Sequence, residues 1–276
     1  MQKVEDINEL NMICNDVRKD ILKTVYAAQS GHIGGSMSSV ELMVGLFFNV
    51  MHHDPLNPKG MDRDRFILSK GHCTPAYYSV LARCNYFDIA ELSDFRKLNS
   101  RLQGHPDKSK FSLMETTSGS LGQGLSISAG IAFALRLDIN PSKVYCLLGD
   151  GELDEGQIWE SLATIIKYKL NNIIIIVDNN KIQLDGTNIQ IKNLDSLTNK
   201  FKAFNYEVLE VNGHDINEVL NTYNHARTLS NNGKNVIIFA STIKGKGVSF
   251  MENTSEWHGK APNKEQYDLA IKELEK

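Results

Sequence analysis

The sequence predicts an α/β protein built on a doubly wound parallel sheet. Three segments near its centre carry that prediction. "KVYCLLGDG" (143–151) is a short apolar run ending in Gly-Asp-Gly. "NNIIIIVDNN" (171–180) is a second apolar run ending in polar residues. Between them, "EGQIWESLATIIKYKL" (155–170) puts Ile158, Leu162, Ile165, Ile166 and Leu170 on one helical face. Strand, helix, strand, with both strands apolar throughout, is the pattern of a βαβ unit in a parallel sheet covered on both faces.

The other elements follow in order. Residues 5–28 space Ile7, Leu10, Ile13, Val17, Ile21 and Val25 for an amphipathic helix, which the small residues of "SGHIGGSMSS" (30–39) break. "SVELMVGLFFNVM" (39–51) predicts a second, apolar helix, and "DPLNPKGMD" (54–62) is turn chemistry. "RFILSKGH" (65–72) reads as a strand running into a Gly-His turn. Residues 74–84 and 88–98 predict two more helices. "YEVLEVNG" (206–213) and "KNVIIFASTIKGKG" (234–247) read as strands on either side of a helix in "HDINEVLNTYNHARTL" (214–229). Residues 264–276 predict a charged, solvated terminal helix. With no internal repeat and no Pro/Ser-rich linker, residues 1–276 read as a single domain with its core over about 10–262.

Composition excludes several classes of function. The 276 residues are 41% hydrophobic and 23% charged, ordinary values for a soluble globular protein. Lys+Arg 30 against Asp+Glu 33 gives a net charge of −3, so no basic surplus points to nucleic acid or an anionic membrane. The four cysteines (Cys14, Cys73, Cys84, Cys146) form no C-x-x-C pair and no zinc spacing. The first thirty residues are charged throughout, and no apolar run reaches the ~18 residues that span a bilayer. The expectation is a reduced, cytoplasmic protein.

In an open parallel sheet, ligands bind beyond the carboxyl ends of the strands. Two predicted strands end there in polar clusters, Gly149-Asp150-Gly151 and Asp178-Asn179-Asn180. A carboxylate and an amide oxygen are hard donors that suit Mg²⁺ or Ca²⁺, and Mg²⁺ commonly fills its remaining positions with phosphate and water. The helix that follows residue 155 offers its N–H end to an anion. The site therefore reads as metal plus diphosphate. Against this, Asp and Asn at strand ends are also ordinary turn residues.

The spacing narrows the choice. Gly149-Asp150-Gly151, then residues 152–178, then Asn179-Asn180 resembles the thiamine diphosphate fingerprint. The blocks "SGHIGG", "SKGH", "GHPD", "TTSGSLGQG", "LLGDGELDEG", "VDNNKIQLDGT" and "STIKGKG…WHG" stand in the order found in transketolases, across about residues 10–262. The chain thus resembles the N-terminal, diphosphate-binding domain of the transketolase family and implies the thiamine diphosphate-binding fold.

The resemblance implies specific roles. Asp150, Asn180 and the main-chain carbonyl of Ile182 would bind the metal: Mg²⁺, with Ca²⁺ or Mn²⁺ as alternatives. The Gly151 N–H would meet the diphosphate, and Gly119 and Leu121 would line the aminopyrimidine. His72 and His258 would touch diphosphate or sugar, and His32 and His105 the sugar hydroxyls. Glu155 would lie at the interface between subunits, or else act only as a first-turn acid favourable to the helix dipole. Two positions depart from the family: Ile33 and Ser120 stand where Pro is usual. Glu152 and Asp154 read as first-turn charges, His52 and His53 as a surface turn, Asp215 as a helix N-cap beside His214, and Cys73 as a small buried residue.

The implied activity is transfer of a two-carbon ketol unit from a ketose, or its phosphate, to an aldose, or its phosphate. The implied assembly is a heterotetramer, α2β2, with a C-terminal transketolase subunit that carries the pyrimidine-binding domain and its catalytic glutamate. Leu46, Phe47, Phe48, Ile158 and Trp159 are the apolar candidates for such a contact surface. The alternatives are another thiamine diphosphate enzyme, such as a deoxyxylulose phosphate synthase-like protein or a two-carbon transferase of an unusual sugar, and a non-catalytic cofactor-binding module. "GHPD" and "WHG" favour transketolase over the synthase.

Overall fold

A computed structural model describes residues 3–194 and 196–275. Its helices are α1 (Ile7–Ala28), α2 (Ile33–Ser38), α3 (Val40–Gly45), α4 (Thr74–Arg83), α5 (Gln123–Leu137), α6 (Gly156–Lys167), α7 (Asn188–Ile191), α8 (Leu197–Ala203), α9 (Ile216–Asn231) and α10 (Lys264–Leu274). The strands are β1 (Arg65–Leu68), β2 (Val144–Gly149), β3 (Ile173–Asn179), β4 (Glu207–Asn212) and β5 (Val236–Ser241). They form one sheet in the order β1-β2-β3-β5-β4, and every pairing is parallel.

Alternate residues of the central strands feed two cores, because successive side chains in a strand point to opposite faces. Tyr145, Leu147, Ile174, Ile176 and Ile238 pack with residues of α1, α3, α4 and α9. Cys146, Leu148, Ile175, Val177 and Ile237 pack with α5, α6 and Phe201 of α8. Two filled faces explain why β2 and β3 read as unbroken apolar runs.

Several local expectations change. "SGHIGGSMSS" breaks the first helix, but Ile33–Ser38 then resumes as α2, so the small residues make a bend between two packed helices. The predicted helix over 39–51 is α3 followed by a π-helical turn, Leu46–Val50. Residues 88–98 form only a short 3-10 helix, Ile89–Asp94, after which Phe95 plunges into the core. The terminal helix is not simply solvated: Ala270 and Leu274 are buried and Tyr267 stacks on Tyr26 of α1. The proposed contact residues Leu46, Phe47, Phe48 and Ile158 are core residues, 0–5% exposed. Trp159 is half-buried and stacks on Phe201. Large apolar side chains are instead exposed around α5, at Phe133, Leu137, Ile139 and Tyr168. Among the described residues, no helix is long and apolar enough to cross a membrane.

Candidate functional site

The carboxyl ends of β2 and β3 lie side by side, with Gly149 opposite Asp178. A cavity of about 350 Å³ opens beyond them, and Asp150, Gly151, Glu155, Asn180, Ile182 and Leu121 all line it. His72 and His258 form another part of its wall. A larger hollow of about 770 Å³ also borders Asp150, Asn180 and Ile182. It has none of the histidines in its wall, so the chemistry points to the smaller one.

Asp150 leaves β2 buried. Its carboxylate accepts from the Gly151 N–H at 2.8 Å, from Asn188 Nδ2 at 2.9 Å and from the Lys181 N–H. Burial first, then the nearby Asp178 charge, push its carboxyl up to about 6. Asn180 is also buried, and its Oδ1 accepts from the Ile182 N–H at 3.1 Å. The Ile182 carbonyl accepts from Lys244 Nζ at 3.1 Å. Carboxylate, amide oxygen and carbonyl form a hard-donor set on one cavity wall. Asn188 Oδ1, on the residue that also bonds Asp150, is buried without a partner. A buried acceptor short of a donor, beside a carboxylate short of countercharge, fits a hydrated divalent cation. Among the described residues, no group of three His, Cys, Asp or Glu is arranged to hold a metal ion, and the donors at this wall are the carboxylate, amide and carbonyl oxygens. At Gly151 an added Cβ would lie 2.8 Å from Gln183 Cγ, so glycine here lets the Gln183 side chain pack against the turn.

Four histidines from four separate turns converge. The ring of His32 lies 5.2 Å from His72, 5.8 Å from His105 and 5.4 Å from His258, centre to centre. His72 and His258 are 5.2 Å apart. Burial lowers all four from the ordinary value, His32 to about 4 and His258 to about 3. Neighbouring cations add to the effect, so the cluster is neutral at physiological pH. Gly119 packs against this cluster: its φ is +134°, and a Cβ there would meet the His105 ring at 2.8 Å. Glu155 is the exposed N-cap residue of α6, and its side chain makes no capping bond.

Several residues of the site gave no sequence signal. Lys70 is 1% exposed and bonds Asp178, which is fully buried. Burial opposes both charges, but their mutual attraction holds the Lys70 ammonium above its usual value and the Asp178 carboxyl below its own. Lys244 reaches the carbonyls of Ile182 and Gln183 and lies 2.8 Å from His258 Nδ1. Burial, then Lys70, lower it to about 8. Glu152 corrects the reading of a first-turn charge: it is 2% exposed and accepts from Ser69 Oγ and from the N–H groups of Gly122 and Gly149. His53 is likewise no surface residue but a buried link between Phe47 and Tyr86. Asp215 caps α9 as expected, and Cys73 is buried with its thiol pushed up by burial. Strand–helix periodicity does not register such single polar residues, whose partners are distant in sequence.

Residues 10–274 match the family described as the transketolase thiamine diphosphate-binding domain. The chain is 40% identical over 257 residues to one subunit of an apulose-4-phosphate transketolase from Actinobacillus succinogenes, covering 93% of this chain and 92% of that one. It is 38% identical over 268 residues to one subunit of a 6-deoxy-6-sulfo-D-fructose transketolase from Clostridium sp. (strain MSTE9), covering 97% of each. The structure is similar to that of transketolase from Leishmania mexicana, with a TM-score of 0.90 at 28% identity. That match covers 97% of this chain but 41% of the other, so the chain spans about two-fifths of that transketolase.

Proposed function

Because this chain belongs to the transketolase family of thiamine diphosphate-binding domains, we propose that it is the N-terminal subunit of a split transketolase. In this reading it transfers a two-carbon ketol unit from a ketose, or its phosphate, to an aldose, or its phosphate. Its partner is a C-terminal subunit with the pyrimidine-binding domain, in an α2β2 assembly. Relatives of nearly the same length, each named as one subunit of a transketolase, support the division. The observation that carries the activity is the convergence of Asp150, Asn180 and the Ile182 carbonyl on one cavity that His72 and His258 also line.

When bound, thiamine diphosphate supplies a carbon nucleophile and an electron sink for breaking a bond next to a carbonyl. The chain's own residues do the rest. Asp150, Asn180 and the Ile182 carbonyl would hold the divalent metal, with Mg²⁺ the expected ion. The Gly151 N–H, which bonds Asp150 Oδ1 in this structure, would turn to the diphosphate, and Gly119 and Leu121 would line the aminopyrimidine. The neutral imidazoles of His32, His72, His105 and His258 would bind sugar oxygens, and those of His72, His105 and His258 would hold or move their protons. Glu155, exposed and with no capping role in α6, is free to serve at a boundary between subunits.

One experiment tests the reading. The chain mixed with a pyrimidine-binding partner should bind thiamine diphosphate with Mg²⁺ in a calorimeter and transfer a ketol unit. Asp150→Ala should abolish both while leaving the circular dichroism spectrum intact. Unchanged affinity in the folded variant, or turnover by the chain free of any partner, overturns it.

A further inference from the structure

The proposed reaction leaves one cation at the histidine cluster without a task. Arg96 lies just after the core residue Phe95. Its NH1 donates to Ser30 Oγ at 2.7 Å, and its NH2 lies 3.4 Å from His32 Nδ1. Gly104 makes room for it, since a Cβ there would fall 2.6 Å from the guanidinium carbon. Its Nε is buried without a partner.

A guanidinium carries donors only. His32 Nδ1 is therefore the acceptor in that contact, and a neutral ring with Nδ1 accepting keeps its proton on Nε2. The Nε2 side passes Gly259, where an added Cβ would lie 3.8 Å away. The ring packs against His72, His105 and His258.

We propose that Arg96 is a positioning residue that fixes His32 as the neutral Nε2–H tautomer, so that this ring donates a hydrogen bond to a substrate oxygen and does not act as a base. The part that concerns substrate rests on the reading above; the part that concerns the tautomer does not. The surroundings agree with it. Besides burial, the groups acting on His32 are Arg96, His105 and Lys244, and each disfavours a positive ring; His72 and His258 complete its neighbours. No carboxylate is among the groups that act on His32, so none of them favours the imidazolium. A fixed donor suits a ligand that presents a carbonyl or hydroxyl oxygen, as a sugar does. No proton changes hands at His32 in this assignment.

Nitrogen NMR of the full chain with labelled histidine side chains tests it, with His32 assigned by comparison with His32→Gln. In the wild-type chain, His32 should carry its proton on Nε2 and should not titrate between about pH 8 and pH 5. Arg96→Met, checked for fold by circular dichroism, should give a tautomer mixture and raise the titration midpoint by at least one unit. Arg96→Lys, which keeps the charge, should fall between the two. An Nδ1–H tautomer or a midpoint near the ordinary histidine value in the wild-type chain overturns the proposal, as does an unchanged His32 signal in a folded Met variant. If Arg96→Met fails to fold, Arg96→Gln, which is smaller and neutral, carries the same comparison. The measurement needs no substrate and no partner, so it stands apart from the outcome of the ketol-transfer test.

Discussion

Glu152 illustrates what a single residue does in this fold. Its carboxylate is buried and binds three donors from separate segments: Ser69 after β1, Gly122 before α5 and Gly149 at the end of β2. It ties together three of the turns that frame the cavity. Removing it strands two buried N–H groups, each worth about 1–3 kcal/mol when left unpaired. Glu152→Ala should therefore lower the stability of the chain by about 3 kcal/mol, whereas Glu152→Gln, which keeps one acceptor oxygen, should lose about half of that. Urea unfolding midpoints measure both. A midpoint unmoved by the Ala variant would show that the turns hold without their anchor.

At the scale of an element, α5 shows how close packing sets the site. Its N-terminus lies against the end of β1: an added Cβ at Gly124 would fall 2.5 Å from Ser69 Cβ and 2.7 Å from its Cα. The helix cannot keep that distance with a larger residue. Six residues later, Gly130 has nothing within 4 Å of an added Cβ. The same substitution should therefore have opposite signs at the two positions. Gly124→Ala should destabilise by about 2 kcal/mol through overpacking, despite the better helix propensity of alanine. Gly130→Ala should stabilise by up to about 1 kcal/mol. Thermal melts of the two variants of the isolated chain compare them directly. Equal shifts would mean that propensity, and not contact with β1, governs this helix.

For the whole molecule, the buried histidines set the response to acid. His32, His53, His72, His105 and His258 all have folded values below the ordinary one, and burial is the first cause in each. Their neutral forms contribute stability that is present above about pH 6.5, the unfolded value, and is lost as pH falls towards the folded values. Burial lifts the carboxyls of Asp20, Asp150 and Glu152, which take up protons in the native state first and act in the opposite sense. Among the described residues, five histidines outweigh three carboxyls. Stability should therefore fall between about pH 6.5 and pH 4, each proton bound only by the unfolded chain adding about 1.4 kcal/mol per pH unit to the slope. Urea melts at stepped pH follow this. A chain equally stable at both ends of that window would contradict it.

Sequence alone determined the sheet and which residues end its strands at one edge of the candidate cavity. β2, α6 and β3 were legible because a strand buried on both faces must be apolar at every position, and a helix covering it must be apolar every three or four residues. Asp150 and Asn180 were legible because such strands end where the fold places ligands. The histidines were legible from the order of their Gly-flanked blocks, not from periodicity. Tertiary structure alone decided what surrounds them. Glu152 has the sequence context of a solvated first-turn acid, yet it is an anchor because β1 and the start of α5 close over it. Leu46, Phe47 and Phe48 have the composition of a contact surface, yet α9 and the sheet bury them. Lys70, Lys244 and Arg96 each gain their meaning from a partner far away in the chain: Asp178, His258 and His32. A residue's pattern along the sequence records which face it lies on, whereas the charge or hydrogen bond it meets there depends on a distance that only the folded chain creates.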